Sequence, residues 1–138
     1  MTIKYKFKIE DKDLSKVCDL YKMSGWWKRS CSSEKIYRLM AGSFCFVTAW
    51  DGNKLVGMGR ALSDAFNDAY IQDIFVDEKY RKRGIASSIV KKLVKYCLLK
   101  NIRWIALIAA PGSVGVYERE GFKKMAGHTP MQFVKKVD

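Results

Sequence analysis

The sequence predicts an α+β layered domain, a mixed sheet with helices on its faces. Three observations carry this reading. Short apolar runs of strand length alternate with stretches whose apolar residues recur at helical spacing. Turn residues separate the strand runs, most clearly Asp51-Gly52-Asn53. An apolar share of 49% with 13% aromatic is ample for one packed core in 138 residues, so residues 1–138 are expected to form a single domain.

The elements follow in order. Ile3, Tyr5, Phe7 and Ile9 alternate with lysines, the period of a half-buried strand. Leu14, Val17, Cys18 and Tyr21 then fall at helical spacing, with Asp13 placed to cap the helix. Gly25, Trp26 and Trp27 interrupt it, and a second short helix is expected from Ser33 to Met40, with Ile36, Leu39 and Met40 inward. Phe44–Trp50 and Leu55–Leu62 read as a strand hairpin, and Ala69–Val76 as a third central strand. Ile85, Ile89, Leu93 and Cys97 form the apolar stripe of a long helix. Trp104–Ala109 is a continuous apolar run, expected to be a strand buried on both faces. Val114–Glu120 is expected as a short helix stopped by Gly121, and Met131–Val137 as a last strand. The order is β-α-α-β-β-β-α-β-α-β.

Composition excludes some classes and leaves others open. No apolar run approaches the ~20 residues of a membrane-spanning helix, and the Lys-rich N-terminus does not read as a secretory signal. A cytoplasmic address without membrane partners is therefore expected. Cys18, Cys31, Cys45 and Cys97 are scattered, without a C-x-x-C pair, and His128 is the one histidine, expected at the surface. This pattern fits neither a metal site nor a thiol-redox motif, and the cysteines are expected as reduced, mostly buried thiols. The net charge of +12 would attract nucleic acid, an anionic membrane or a phosphate-rich cofactor, and alone does not choose among them.

The informative segment joins the third central strand to the long helix. Its loop leaves backbone N–H groups at the N-terminus of that helix, where they lack intrahelical partners and the macrodipole is positive. Such an end binds anions. Gly84 lets the backbone approach a bulky phosphate, Ala86 keeps the next position small, and Arg81, Lys82 and Arg83 add positive charge at the mouth. The pattern points to a pyrophosphate. A Walker loop would need Gly-Lys-Ser/Thr, and a dinucleotide fold would need G-x-G-x-x-G directly after the strand; neither is present.

Arg81-x-x-Gly84-x-Ala86, behind the lead-in Val76-Asp-x-x-Tyr80, resembles motif A of the GNAT acetyltransferases. Downstream, Val116-Tyr117-Glu-Arg-Glu-Gly121-Phe122 is similar to the family's motif B, with Val116 where Phe is commoner. The likeness extends from about Leu14 to Phe133, and looks like a branch of small bacterial enzymes related to plant chloroplast enzymes that acetylate serotonin and other amines. Ala110 stands where the plant enzymes carry an Asp, which bears on the acceptor rather than on the cofactor.

The resemblance implies the GNAT fold, with a mostly antiparallel central sheet, and acetyl-CoA as acetyl donor. It implies direct transfer to a primary amine, a small amine or a lysine or N-terminus, in a ternary complex. Amides of Arg81, Lys82, Arg83, Gly84, Ile85, Ala86 and Ser87 would bind the pyrophosphate. The backbone edge at Ile74, Phe75 and Val76 would pair with the pantetheine arm, and an amide near Phe75 or Val76 would stabilise the oxyanion. Tyr117 would protonate the departing thiolate. Asp73 is the expected base, directly or through water; its other reading is a hydrogen-bonding partner within the fold. Asp64 would bind the ammonium group or cap a turn, and Trp26 and Trp27 would wall the substrate site or close the core. A homodimer is common in such folds. The alternatives are a nucleic-acid-binding module, for which no RNP, KH or zinc-finger signature appears, and a CoA-binding sensor without turnover.

Overall fold

The alternation that opens the chain forms β1 (Ile3–Lys6), which pairs antiparallel with β2 (Cys45–Asp51). A computed structural model describes residues 1–27 and 30–136. α1 (Leu14–Ser24) turns its Val17, Leu20 and Tyr21 stripe inward and ends at Gly25, whose φ of +80° closes the helix. α2 (Ser33–Ala41) begins at Ser32, whose hydroxyl accepts a hydrogen bond from the Lys35 amide at 3.3 Å.

β2, β3 (Lys54–Ser63) and β4 (Asp68–Val76) make an antiparallel meander, and β5 (Trp104–Leu107) adds parallel to β4. The sheet order is β1-β2-β3-β4-β5. α3 (Ile85–Leu99) supplies the crossover between β4 and β5, and α4 (Val114–Arg119) follows β5. Each face of the sheet carries its own core. α3 packs Ile85, Ile89 and Leu93 on one face; α1 and α2 cover Phe46, Trp50 and Met58 on the other. Gly59 lies under α3, where a Cβ would come within 2.4 Å of Ile74 and 2.7 Å of Ile89.

Three expectations are corrected. Cys18 and Cys31 are joined in a disulfide, with Cα atoms 5.7 Å apart, while Cys45 and Cys97 are buried free thiols. The chain returns from α1 toward α2 and brings the two together, which their spacing in sequence does not reveal. The Trp104 run is not buried on both faces: β5 is an edge strand, and Trp104 is 45% exposed. Met131 to Lys136 form no strand, because no neighbouring strand pairs with them among the described residues; Val137 lies outside those residues.

Candidate active site

The site grows from an irregularity in β4. Gln72 pairs with Arg60 and Phe75 with Met58, so Asp73 and Ile74 together oppose the single residue Gly59. This is a β-bulge, and Asp73 takes its left-handed position at φ +58°. β4 pairs with β5 only from Asp68 to Ile71, and beyond that point the two strands are unpaired. The Asp77 amide donates to the Val56 carbonyl on β3. Two-residue alternation then turns Phe75 toward β3 and the amides of Ile74 and Val76 toward the gap.

The loop after β4 closes one end of that gap. Tyr80 donates its hydroxyl to Asp51 Oδ2 at 2.6 Å, a bond that raises the phenol pKa. Arg81 donates from Nε to the Val76 carbonyl at 3.1 Å, with its guanidinium over the Phe75 ring. Lys82 and Gly84 have φ of +62° and +78°, and between them hold Arg83 in a turn that aims successive amides one way. α3 starts without an acidic residue or a side-chain cap in its first turn. The amides of Lys82 through Ser87 find no acceptor among the described residues. A Cβ on Gly84 would meet no atom within 4 Å, so the backbone here borders open space.

These parts enclose a cleft of about 510 Å³. Ile74, Phe75 and Val76 line one part of it, and Arg81, Lys82, Gly84, Ile85, Ala86 and Ser87 another. Tyr117 on α4 and Trp26 line it as well. Burial raises the Tyr117 phenol, so it stands as a neutral O–H donor at physiological pH.

A sequence-family model described as Acetyltransferase (GNAT) family matches residues 14–122. The chain belongs to this family. It is 31% identical over 126 residues to the chloroplastic GCN5-related N-acetyltransferase 2 of Arabidopsis thaliana, covering 80% of this chain. The match spans 49% of the Arabidopsis protein, so this chain corresponds to about half of that relative's length. A GNAT family acetyltransferase from Streptococcus pneumoniae superposes with TM-score 0.78 at 26% identity, over 99% of this chain and 98% of its own. A predicted acetyltransferase from Clostridium acetobutylicum, solved with acetyl-CoA, shares the fold at TM-score 0.74 and 17% identity, over 95% and 96% of the two chains.

Within this GNAT domain the structure separates the residues singled out from sequence. Tyr117, Ile74 to Val76, Arg81, Lys82, Gly84 to Ser87 and Trp26 share one cleft. Arg83 is not on its wall; the guanidinium lies over the Tyr80 ring. Trp27 closes the core instead, stacked on Tyr21 with ring centroids 4.3 Å apart. Asp64 caps the β3–β4 turn, accepting from the Phe66 and Asn67 amides at 2.9 Å. The Asn67 and Phe66 bonds hold its carboxyl below the usual range. It lies at the far end of β4, roughly 25 Å of strand from Val76 at ~3.3 Å per residue.

Asp73 is held on the α1 face, also off the cleft wall. Its Oδ2 accepts from Tyr21 Oη at 2.8 Å and from Arg60 Nε at 2.8 Å, and Arg60 also reaches the Ser43 hydroxyl. Burial, and then the Asp73 carboxylate, push the Tyr21 phenol far above its ordinary value. Trp26 meets Phe75 edge-on, with centroids 5.9 Å apart, and Tyr21 lies 6.4 Å from Trp26. Sequence reasoning missed Tyr21, Arg60 and the Ala110–Ser113 loop that also lines the cleft. Arg60 had a signal, being a charge inside an apolar strand run; Tyr21 was hidden in a core stripe.

Proposed function

We propose that this chain is an acetyl-CoA-dependent N-acetyltransferase that passes the acetyl group directly to a primary amine in a ternary complex. The observation that carries the reading is the row of unpartnered amides from Lys82 to Ser87 at the closed end of a cleft that also holds Tyr117. Its size suits a long thioester, and pockets of ~300–1,000 Å³ hold such ligands. The acetyl-CoA held by the same fold in the Clostridium protein supports the choice of donor.

In this reading the amides of Lys82 to Ser87 hold the pyrophosphate, with Lys82 as the nearby cation and Arg81 bracing the loop against Val76. The outward backbone of Ile74 and Val76 pairs with the amide groups of the pantetheine arm, as an added strand would. The Val76 amide faces the thioester oxygen as negative charge builds there. Tyr117 gives its proton to the departing sulfur.

An alkyl ammonium of pKa ~10 must lose a proton before it attacks. Asp73 takes that proton through water, by Oδ1, since Tyr21 and Arg60 occupy Oδ2. Trp26 and Phe75 offer an aromatic wall to the acceptor, a small amine or a lysine or N-terminal amine. A cytoplasmic address is part of the proposal, although the Arabidopsis relative is named chloroplastic.

The test pairs calorimetry with acetyl-CoA and an amine panel read by free thiol release. Saturable binding with thiol release for at least one amine is expected. Binding without release for any amine would make the protein a sensor, and absence of binding would overturn the reading altogether.

A further inference from the structure

One covalent ring carries an aromatic part of the cleft wall. The Cys18–Cys31 disulfide ties α1 to the residue just before Ser32, the N-cap of α2. Within that ring lie Tyr21, which donates to Asp73, and Trp26, which lines the cleft. Trp27, also in the ring, stacks on Tyr21. The other residues lining the cleft fall outside it. Trp26 is 47% exposed and meets Phe75 only edge-on, so its place depends on the backbone that leads into it.

The two bonded sulfurs differ in access. Cys18 is buried, whereas Cys31 is only partly so. Cys31 also stands at the positive end of α2, and Lys35 Nζ donates to the neighbouring Ser30 carbonyl at 3.0 Å; Glu34 in the first turn offsets part of this field. A partly exposed sulfur at a helix N-terminus beside a lysine is the setting of reactive cysteines, and a resolving cysteine already in place makes its oxidation reversible. Cys45 and Cys97 are buried and shielded from such exchange. The cytoplasmic address proposed above is reducing, and disulfides that form there are usually transient or redox-sensing.

We propose that Cys18–Cys31 is a redox modification site that exchanges with low-molecular-weight thiols and disulfides, and that its state sets the order of the Trp26 wall. The effect on catalysis, though not the exchange itself, rests on the acetyltransferase reading. In the first step a small thiolate attacks Cys31 Sγ and forms a mixed disulfide. The Cys18 sulfur leaves with the bonding electron pair and takes a proton; the Ser32 carbonyl, 3.6 Å away, can accept from the new thiol. A second small thiolate then attacks the small-molecule sulfur and releases Cys31. Two electrons pass to the protein, and two small thiols become one small disulfide. The reverse sequence closes the ring. Once open, the chain after α1 is no longer pinned to the start of α2, and Trp26 loses its fixed backbone.

The test equilibrates the full chain in glutathione buffers of graded redox ratio. Alkylation in denaturant should label only Cys45 and Cys97 at oxidising ratios and all four cysteines at reducing ones. Acrylamide quenching assigned to Trp26, as the difference between wild type and Trp26→Phe, should rise about twofold on reduction as the indole moves from 47% exposed toward full exposure. Cys31→Ser should give the reduced value in every buffer, with thermal unfolding as the check on its fold; reduced wild type gives the same comparison without a substitution. With an accepted amine, reduction should raise the acceptor KM about three- to tenfold, the cost of re-ordering one or two side chains, and leave the acetyl-CoA Kd unchanged. A bond that stays closed in the most reducing buffer would overturn the proposal. So would a bond that opens without altering Trp26 quenching, or an acceptor KM that ignores redox state. If no amine is acetylated, labelling and quenching still decide the switch, and only the acetyltransferase reading falls.

Discussion

Gly84→Glu separates fold from ligand binding because the cost to the fold is small and the cost to binding an anion is large. Gly84 has φ +78° and no atom within 4 Å of a built Cβ, so the substitution causes no clash. The left-handed backbone costs a side chain about 1–2 kcal/mol. A carboxylate at the N-terminus of α3 returns roughly 0.3–1 kcal/mol through the macrodipole, so net destabilisation stays near 1 kcal/mol. Toward a diphosphate the same carboxylate is repulsive: two unit charges ~4 Å apart at an effective dielectric of 20 differ by about 4 kcal/mol. Solvent at the mouth reduces this, leaving an expected 10²- to 10³-fold rise in the acetyl-CoA Kd. Calorimetry measures Kd, and thermal unfolding on the same sample checks the fold. If the variant melts within a few degrees of the wild type and binds acetyl-CoA within threefold as tightly, the diphosphate is not at this turn.

Other outcomes follow from the same geometry. Tyr117→Phe should lower kcat by at least about 10² while leaving the acetyl-CoA Kd within threefold, because it removes a proton and not a wall; an unchanged kcat would refute the assignment. Asp73→Asn should destabilise by ~2 kcal/mol, since the charge-assisted bonds from Arg60 and Tyr21 weaken, and should lower kcat while leaving the acetyl-CoA Kd within threefold. A stability loss with an unaltered kcat would leave Asp73 purely structural. Tyr21 and Tyr117 both have raised pKa values in the fold, so the folded state holds their protons more tightly than the unfolded chain does. Stability is therefore full below pH ~10 and should fall above it, a decline that Tyr21→Phe should flatten in pH-dependent unfolding. Reducing the Cys18–Cys31 bond, which closes a 13-residue separation, should lower stability by about 3 kcal/mol. Burial raises the Cys45 thiol to about 12 and the Cys97 thiol in the same direction; alkylation of the reduced native protein should therefore spare both until it unfolds.

What could be read in the sequence depended on how local its physical cause is. The strand–turn–helix around Gly84 was legible because Gly84, Ala86 and the basic run lie within one loop, and the turn needs only a strand before it and a helix after. The β2–β3 hairpin was legible for the same reason: Asp51-Gly52-Asn53 states its own geometry. The β4 bulge was not, because it arises where Gly59, small enough to lie under α3, faces two residues of β4. That one irregularity puts Asp73 at positive φ, turns its carboxylate to Tyr21 and Arg60, and precedes the gap that opens between β4 and β5. The Cys18–Cys31 link likewise depends on how α1 and α2 return on each other, which spacing does not encode. The final strand shows the limit most directly. Met131 to Val134 have the composition of a strand, but a strand exists only with a ladder partner, and this chain leaves β5 and that segment apart. Sequence pattern therefore found both apolar runs, but neither the edge position of β5 nor the lack of a ladder partner for residues 131–136 among the described residues, since both depend on which strands meet in space.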